Sequence, residues 1–187
     1  MRLRDRVLAT MKSRDTEGAF ELYVTRTPGY LWALLFRRLG VHPIAVTLAS
    51  IAIGAAAGYF FYFPSREINL IGMLLLVWAN WYDCADGQLA RMTGKKTLIG
   101  RILDGFAGDV WFFCIYLAIA LRLTHAWTGL ADFMQHDAWV WALMAWAGLH
   151  CHSRQCALAD YYRNIHLWFL LGKQGSTKGY NSTEAIQ

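Results

Sequence analysis

Apolar positions in this chain run in long blocks rather than alternating with polar ones. A helix that crosses a bilayer needs about 20 mostly apolar residues, and Pro43–Phe63 (PIAVTLASIAIGAAAGYFFYF) has that length. Pro43 falls in the first turn, where a helix tolerates proline, and the Gly and Ala positions let helices approach closely. A second block runs from Ile68 to about Met92, and a third from about Thr97 to Leu123. A fourth begins near Asp137 and keeps a helical pattern for longer than one span needs.

Ahead of these blocks, Gly29–Gly40 (GYLWALLFRRLG) is too short to span. Its aromatic and leucine face beside Arg37 and Arg38 suits a helix lying in the membrane interface. The pattern therefore predicts an all-α fold, a polytopic transmembrane helical bundle of at least four spans with an N-terminal interfacial amphipathic helix. Residues 1–42 would form the cytoplasmic N-terminus and interfacial helix, 43–172 the transmembrane domain, and 173–187 a polar, Gly-rich flexible tail. The N-terminus lacks the apolar core and small-residue cleavage site of a signal peptide.

Composition strengthens this reading. The 187 residues are 56% hydrophobic and only 17% charged. The formal net charge of +5 points, in such a chain, to cytoplasmic flanks and anionic headgroups and not to nucleic acid. Apart from Arg66 and Arg122, every basic residue falls at the N-terminus, around the junction of the second and third blocks, or toward the C-terminus. That bias places the junction of those two blocks near the cytoplasmic face, and Trp127, Trp139 and Trp141 at the opposite interface. The four cysteines lie in or beside apolar segments and read as small buried hydrophobes, not as a disulfide framework. His150, Cys151, His152 and Cys156 look metal-like, but on a helix only His152 and Cys156 share a face. Packing is the simpler account.

The junction itself is anomalous. DCADGQLARMTGKKTLIGRILDGFAGD carries Asp83, Asp86, Asp104 and Asp109 within apolar blocks. An ionised carboxylate at bilayer depth costs several kcal/mol, about 3 on insertion scales, and four together repel, so they require neutralisation by protons, basic partners or divalent cations. Asp83 and Asp86 share a helical face that Gly87 and Ala90 continue. An antiparallel return after a turn near Thr93–Lys96 would bring Asp104 to a similar depth. Hard oxygen ligands from two facing helices suit magnesium or manganese and can hold substrate phosphates as well. Gly87, Ala90 and Gly100 leave room for a ligand, and Arg91, Lys95, Lys96 and Arg101 can meet anionic groups at the mouth.

The run Asp83-x2-Asp86-Gly87-x2-Ala90-Arg91-x8-Gly100-x3-Asp104 resembles the signature of the CDP-alcohol phosphotransferase (CDP-alcohol phosphatidyltransferase) family. The resemblance spans most of Pro43 to about Leu123. It implies a polytopic, usually homodimeric membrane enzyme of phospholipid biosynthesis, in which divalent metal (Mg2+ or Mn2+) assists an alcohol hydroxyl in displacing CMP from a CDP-linked donor. It further implies Asp83, Asp86 and Asp104 as metal ligands and Gly87, Ala90, Arg91 and Gly100 as positions around the nucleotide. Thr47, in HPIAVT, resembles part of a Pro-Asn-x-x-Thr element, with Ile44 in place of the Asn.

Two departures from the family pattern carry expectations of their own. Family members commonly have six spans, and four are placed here. The pattern also continues Asp104-x3-Asp, whereas position 108 is Gly and the acid follows at Asp109. A one-residue shift turns a side chain by about 100° on a regular helix. A helical irregularity between Asp104 and Asp109, permitted by Gly105 and Gly108, would restore its aim and make Asp109 a metal ligand and the catalytic general base. The donor expected is CDP-diacylglycerol, with a polar acceptor such as inositol phosphate or glycerol phosphate contacted by Lys95, Arg101 and Arg154. A CDP-amino-alcohol with diacylglycerol as acceptor remains an alternative. An ion or proton transporter with an acidic relay, or a membrane scaffold, would fit the acids but not the ligand-sized space beside them.

Overall fold

The computed structural model describes Val7, residues 20–124 and residues 137–171. The expected tail, Trp127 and most of the first 19 residues lie outside the described residues. A π-helical turn, Glu21–Arg26, runs directly into α1, Thr27–Arg38. Three long helices follow: α2, Pro43–Phe61; α3, Arg66–Thr93; and α4, Leu98–Thr124. These are the helices long and apolar enough to cross a membrane among the described residues. The chain divides into two compact units, Met1–Ala145 and Trp146–Gln187.

Local chemistry sets the boundaries of the spans. Before α2, Gly40 takes a left-handed φ of 70°, and the His42 side chain accepts the Ile44 N–H at 3.3 Å, capping a helix that opens on Pro43. α3 ends where Gly94 adopts φ 69°, a left-handed cap that costs glycine little. Only Gly94, Lys95, Lys96 and Thr97 separate α3 from α4, so the two spans return antiparallel, as expected from the sequence. The interfacial segment is also helical, two residues earlier than its apolar pattern predicts. Phe20, Tyr23, Leu31, Leu35 and Leu39 are exposed around it, with Arg37 and Arg38 in its last turn.

α2 is the centre of the first unit. It packs along both α3 and α4, which touch each other directly only in a few places, and α1 lies on α3. Gly54 and Gly58, four apart on one face of α2, make this possible. A Cβ at Gly54 would run into the Trp111 ring, and one at Gly58 would lie 2.6 Å from the Cys114 Cβ. Lipid is as apolar as the side chains it would replace, so helices in a bilayer associate through such close approach. Trp111 is buried with Ala79 and Ala107 against Ile51, Ile53 and Leu76. Ala33, Val46, Ala85 and Leu89 form a second core, flanked by Trp32, Phe36 and Tyr82.

The fourth expected span is helical but not one uniform rod. α5, Ala138–Ala145, is apolar and packs on α4. In the second unit a π-helical segment, Trp146–His152, leads into α6, Ser153–Leu171. The eight residues of α5 are too few to span. α6 has the length but carries Arg154, Asp160 and Arg163, which lowers its apolarity. His152 Nε2 approaches Cys156 Sγ at 3.6 Å, the one shared face the spacing predicted there.

Candidate active site

Asp83 and Asp86 project from the last three turns of α3, and Asp104 from the second turn of α4. Each offers a carboxylate oxygen that lies within 4.8 Å of the others. The short α3–α4 connection brings the two helices level, while α2 closes the back. Asp86 is buried at 4% exposure, Asp83 is half-buried and Asp104 is exposed, so the cluster opens on the α4 side.

Asp83 Oδ1 and Asp86 Oδ2 are buried with no hydrogen-bond partner in the protein. Buried oxygens of this kind are costly unless something satisfies them. Three converging carboxylates, two of them carrying an oxygen in need of a partner, fit a divalent cation such as magnesium or manganese. A cation at that point would also remove their mutual repulsion.

Residues of α2, α3 and α4 surround the acids. Thr47, buried on α2, donates its hydroxyl to the Pro43 carbonyl at 3.2 Å and lies beside the Asp86 carboxylate. Ser50 in turn donates to the Thr47 carbonyl at 2.7 Å. The Arg91 guanidinium passes over Gly87, 3.5 Å from where a Cβ would stand, and its charge acts on Asp86. At Gly100 a Cβ would meet the Thr97 hydroxyl at 3.0 Å and Ile44 at 3.9 Å, which ties the start of α4 to α2. Ala90 is half-buried on the acid-bearing stretch of α3, while Lys95, Lys96 and Arg101 are exposed at the mouth. Arg154 belongs to the second unit, where it lies 3.5 Å from His150.

Asp109 is the correction. α4 is an uninterrupted α-helix from Leu98 to Thr124, without the irregularity predicted between Asp104 and Asp109. On a regular helix five residues turn by about 140° from the starting direction. Asp109 is accordingly exposed and stands outside the group of three. The flanking glycines permit a bulge but do not compel one, and the tight contact of Trp111 and Cys114 with α2 favours an unbroken helix.

The π-helical distortion occurs instead at Glu21–Arg26, and it brings in residues that the sequence reading missed. Trp81 Nε1 donates to the Val24 carbonyl at 2.9 Å, and fully buried Gln88 donates to the Arg26 carbonyl at 3.1 Å. These bonds pin the turn along α3 beside the acids. The Arg26 guanidinium bonds Glu21 Oε1 at 3.3 Å, and its charge acts on Asp83 and Cys84. Arg26 is the lone basic residue between Arg14 and Arg37, which is the trace it leaves in the sequence. Nothing in that sequence, however, pairs it with a helix nearly sixty residues away.

Fold and site together define a polytopic membrane protein with an acidic, phosphate-compatible cluster at the junction of two spans. The family model of the CDP-alcohol phosphatidyltransferases matches residues 40–164, more than half of the chain, and the protein belongs to that family. It is thus a membrane transferase of phospholipid synthesis, acting on a CDP-alcohol donor and an alcohol acceptor. No curated protein and no solved structure matches the chain.

Proposed function

We propose that the protein transfers a phosphatidyl group from CDP-diacylglycerol to the hydroxyl of a polar, phosphorylated acceptor, with Asp83, Asp86 and Asp104 holding magnesium or manganese. The observation that carries this is the convergence of the three carboxylates within 4.8 Å, two of them presenting buried, unsatisfied oxygens. When bound, the cation supplies charge neutralisation for the donor's diphosphate and for the charge that develops on it.

The residues of the chain do the rest. Gly87, Ala90 and Gly100 are the positions around the cytidine end, as the family resemblance implies, and Arg91 and Thr47 face the phosphates. Lys95, Lys96 and Arg101 draw the anionic acceptor to the mouth. An oxygen of the acceptor hydroxyl forms the new bond to the phosphorus that carries diacylglycerol. The bridging P–O bond breaks, and CMP leaves with the bridging oxygen. Asp104, the one exposed acid of the cluster, is the carboxylate that an incoming hydroxyl can reach, so its second carboxylate oxygen takes the proton. The bias of basic residues favours a site on the cytoplasmic side, where CMP leaves to water while the lipid stays in the bilayer. A homodimer, as the family resemblance implies, is part of the same proposal.

Replacing Asp86 with Asn tests it. Purified wild-type protein in detergent should release CMP from CDP-diacylglycerol when manganese and a phosphorylated acceptor are present, and Asp86→Asn should not. Wild-type protein that releases no CMP with any acceptor in a broad panel would overturn the assignment.

A further inference from the structure

Arg26 belongs to no motif, yet the fold positions it with care. It closes a π-helical turn, and such insertions concentrate at functional sites because they re-aim a side chain at some cost in stability. Trp81 and Gln88 hold that turn from α3 on either side of Asp83 and Asp86. The Arg26 side chain is only 16% exposed, against 42% for its partner Glu21. A half-exposed pair of this kind stabilises little, and ordering a long arginine side chain costs more than such a pair returns. Glu21 alone therefore does not explain why the guanidinium is kept beside the acids.

The charges of the site do. Three carboxylates outweigh one divalent ion, and a substrate's phosphates add further negative charge. Arg91 approaches from the Asp86 side, over Gly87, while Arg26 acts on the Asp83 side. A planar guanidinium is the side chain best suited to grip phosphoryl oxygens in bidentate fashion.

We infer that Arg26 is a phosphate-binding residue of this site, brought to the acid cluster by the π-helical turn to hold phosphoryl oxygens of a substrate. The inference rests on the transferase reading. The phosphoryl group belongs either to the donor's diphosphate or to the acceptor, and kinetics separate the two.

The test uses the full chain in detergent micelles with manganese, comparing wild type with Arg26→Gln, Arg26→Lys and Glu21→Gln. Donor and acceptor are varied separately in the CMP-release assay. Arg26→Gln should raise one KM by about 10- to 100-fold, the range for a lost charged hydrogen bond, with kcat changed far less. A raised donor KM identifies the diphosphate, and a raised acceptor KM identifies the acceptor phosphate. Arg26→Lys should recover part of the loss, because the charge remains while the fork does not. Glu21→Gln should lower the same KM by releasing the guanidinium. Unchanged KM values in Arg26→Gln, or a loss of kcat that tracks a lower unfolding midpoint, would overturn the inference while leaving the transferase reading intact. A second readout is the shift in unfolding temperature on adding CDP with manganese. If wild type is stabilised by CDP but releases no CMP, the transferase reading fails by itself, and loss of the CDP shift in Arg26→Gln still supports the role of Arg26. Both KM values unchanged together with an equal CDP shift in Arg26→Gln counts against it, whereas an equal CDP shift with a raised acceptor KM assigns the guanidinium to the acceptor phosphate.

Discussion

Gly108 stands where the family pattern places one more aspartate, and Gly108→Asp is the perturbation that probes the site most directly. Residues four apart on a helix lie about 40° from each other, with Cβ atoms roughly 5–6 Å apart. A carboxylate at position 108 would therefore share the face of Asp104. A Cβ at Gly108 meets no heavy atom within 4 Å, so the added side chain encounters no steric obstacle. Aspartate is also no poorer a helix former than glycine.

The effect of that carboxylate should reverse with metal. Without a cation, a unit charge about 6 Å from Asp104 repels it by about 3 kcal/mol at an effective dielectric of about 20, less after screening at this exposed position. With a divalent ion in the cluster, the new carboxylate is attracted by twice the charge, and the sum turns favourable. A net tenfold gain in affinity corresponds to about 1.4 kcal/mol. At manganese well above the dissociation constant, that gain appears in full as added stability. Thermal unfolding in micelles should therefore show the variant melting below wild type in EDTA and gaining more from manganese than wild type does. If the variant folds with unchanged helical content and its gain from manganese is no larger, position 108 does not see the cluster. If manganese stabilises neither protein, the reading of the three acids as a shared cation site fails.

Other outcomes follow from the same geometry. Asp109→Asn should keep kcat/KM for CMP release within about threefold of wild type, whereas loss of a general base costs about 10²–10⁴-fold; a loss of that size at Asp109 would reinstate it as the base. Asp104→Asn should show the large loss instead. Gly58→Val forces a side chain against the Cys114 Cβ at 2.6 Å and its carbonyl carbon at 2.9 Å, and should destabilise the fold by about 1–3 kcal/mol in micelle unfolding. Gly105→Ala, facing open space, should be neutral or stabilise by up to about 1 kcal/mol in the same measurement. Removing divalent ions with EDTA should abolish CMP release, and manganese or magnesium should restore it.

Much of this was legible in the sequence because two strong constraints act on it. Bilayer thickness fixes the length of an apolar helix, so α2, α3 and α4 fall within about two residues of their expected bounds. A three-residue spacing on one helix and a short return loop suffice to predict that Asp83, Asp86 and Asp104 converge. The reading of Asp109 failed because one residue of register was balanced against a local distortion, and glycine content says only that a distortion is possible. What decides it is the fit of Trp111 and Cys114 into Gly54 and Gly58, a long-range contact. Arg26 was invisible for a similar reason. Its place depends on hydrogen bonds from Trp81 and Gln88 across the fold, which no local pattern records.

The glycine face of α2 and the acid cluster also depend on each other. In a bilayer the helices gain little from hydrophobic burial, so close approach at Gly54 and Gly58 supplies much of what holds α4 to α2. The same docking carries Asp104 toward Asp83 and Asp86, because α3 and α4 touch each other little and meet chiefly through α2. Bringing three carboxylates within 4.8 Å opposes that docking as long as no cation is bound. Packing and electrostatics thus work against each other in the metal-free protein and together in the loaded one. Weakening the packing at Gly58 should therefore weaken cation binding as well, even though Gly58 lies on another helix and touches none of the acids.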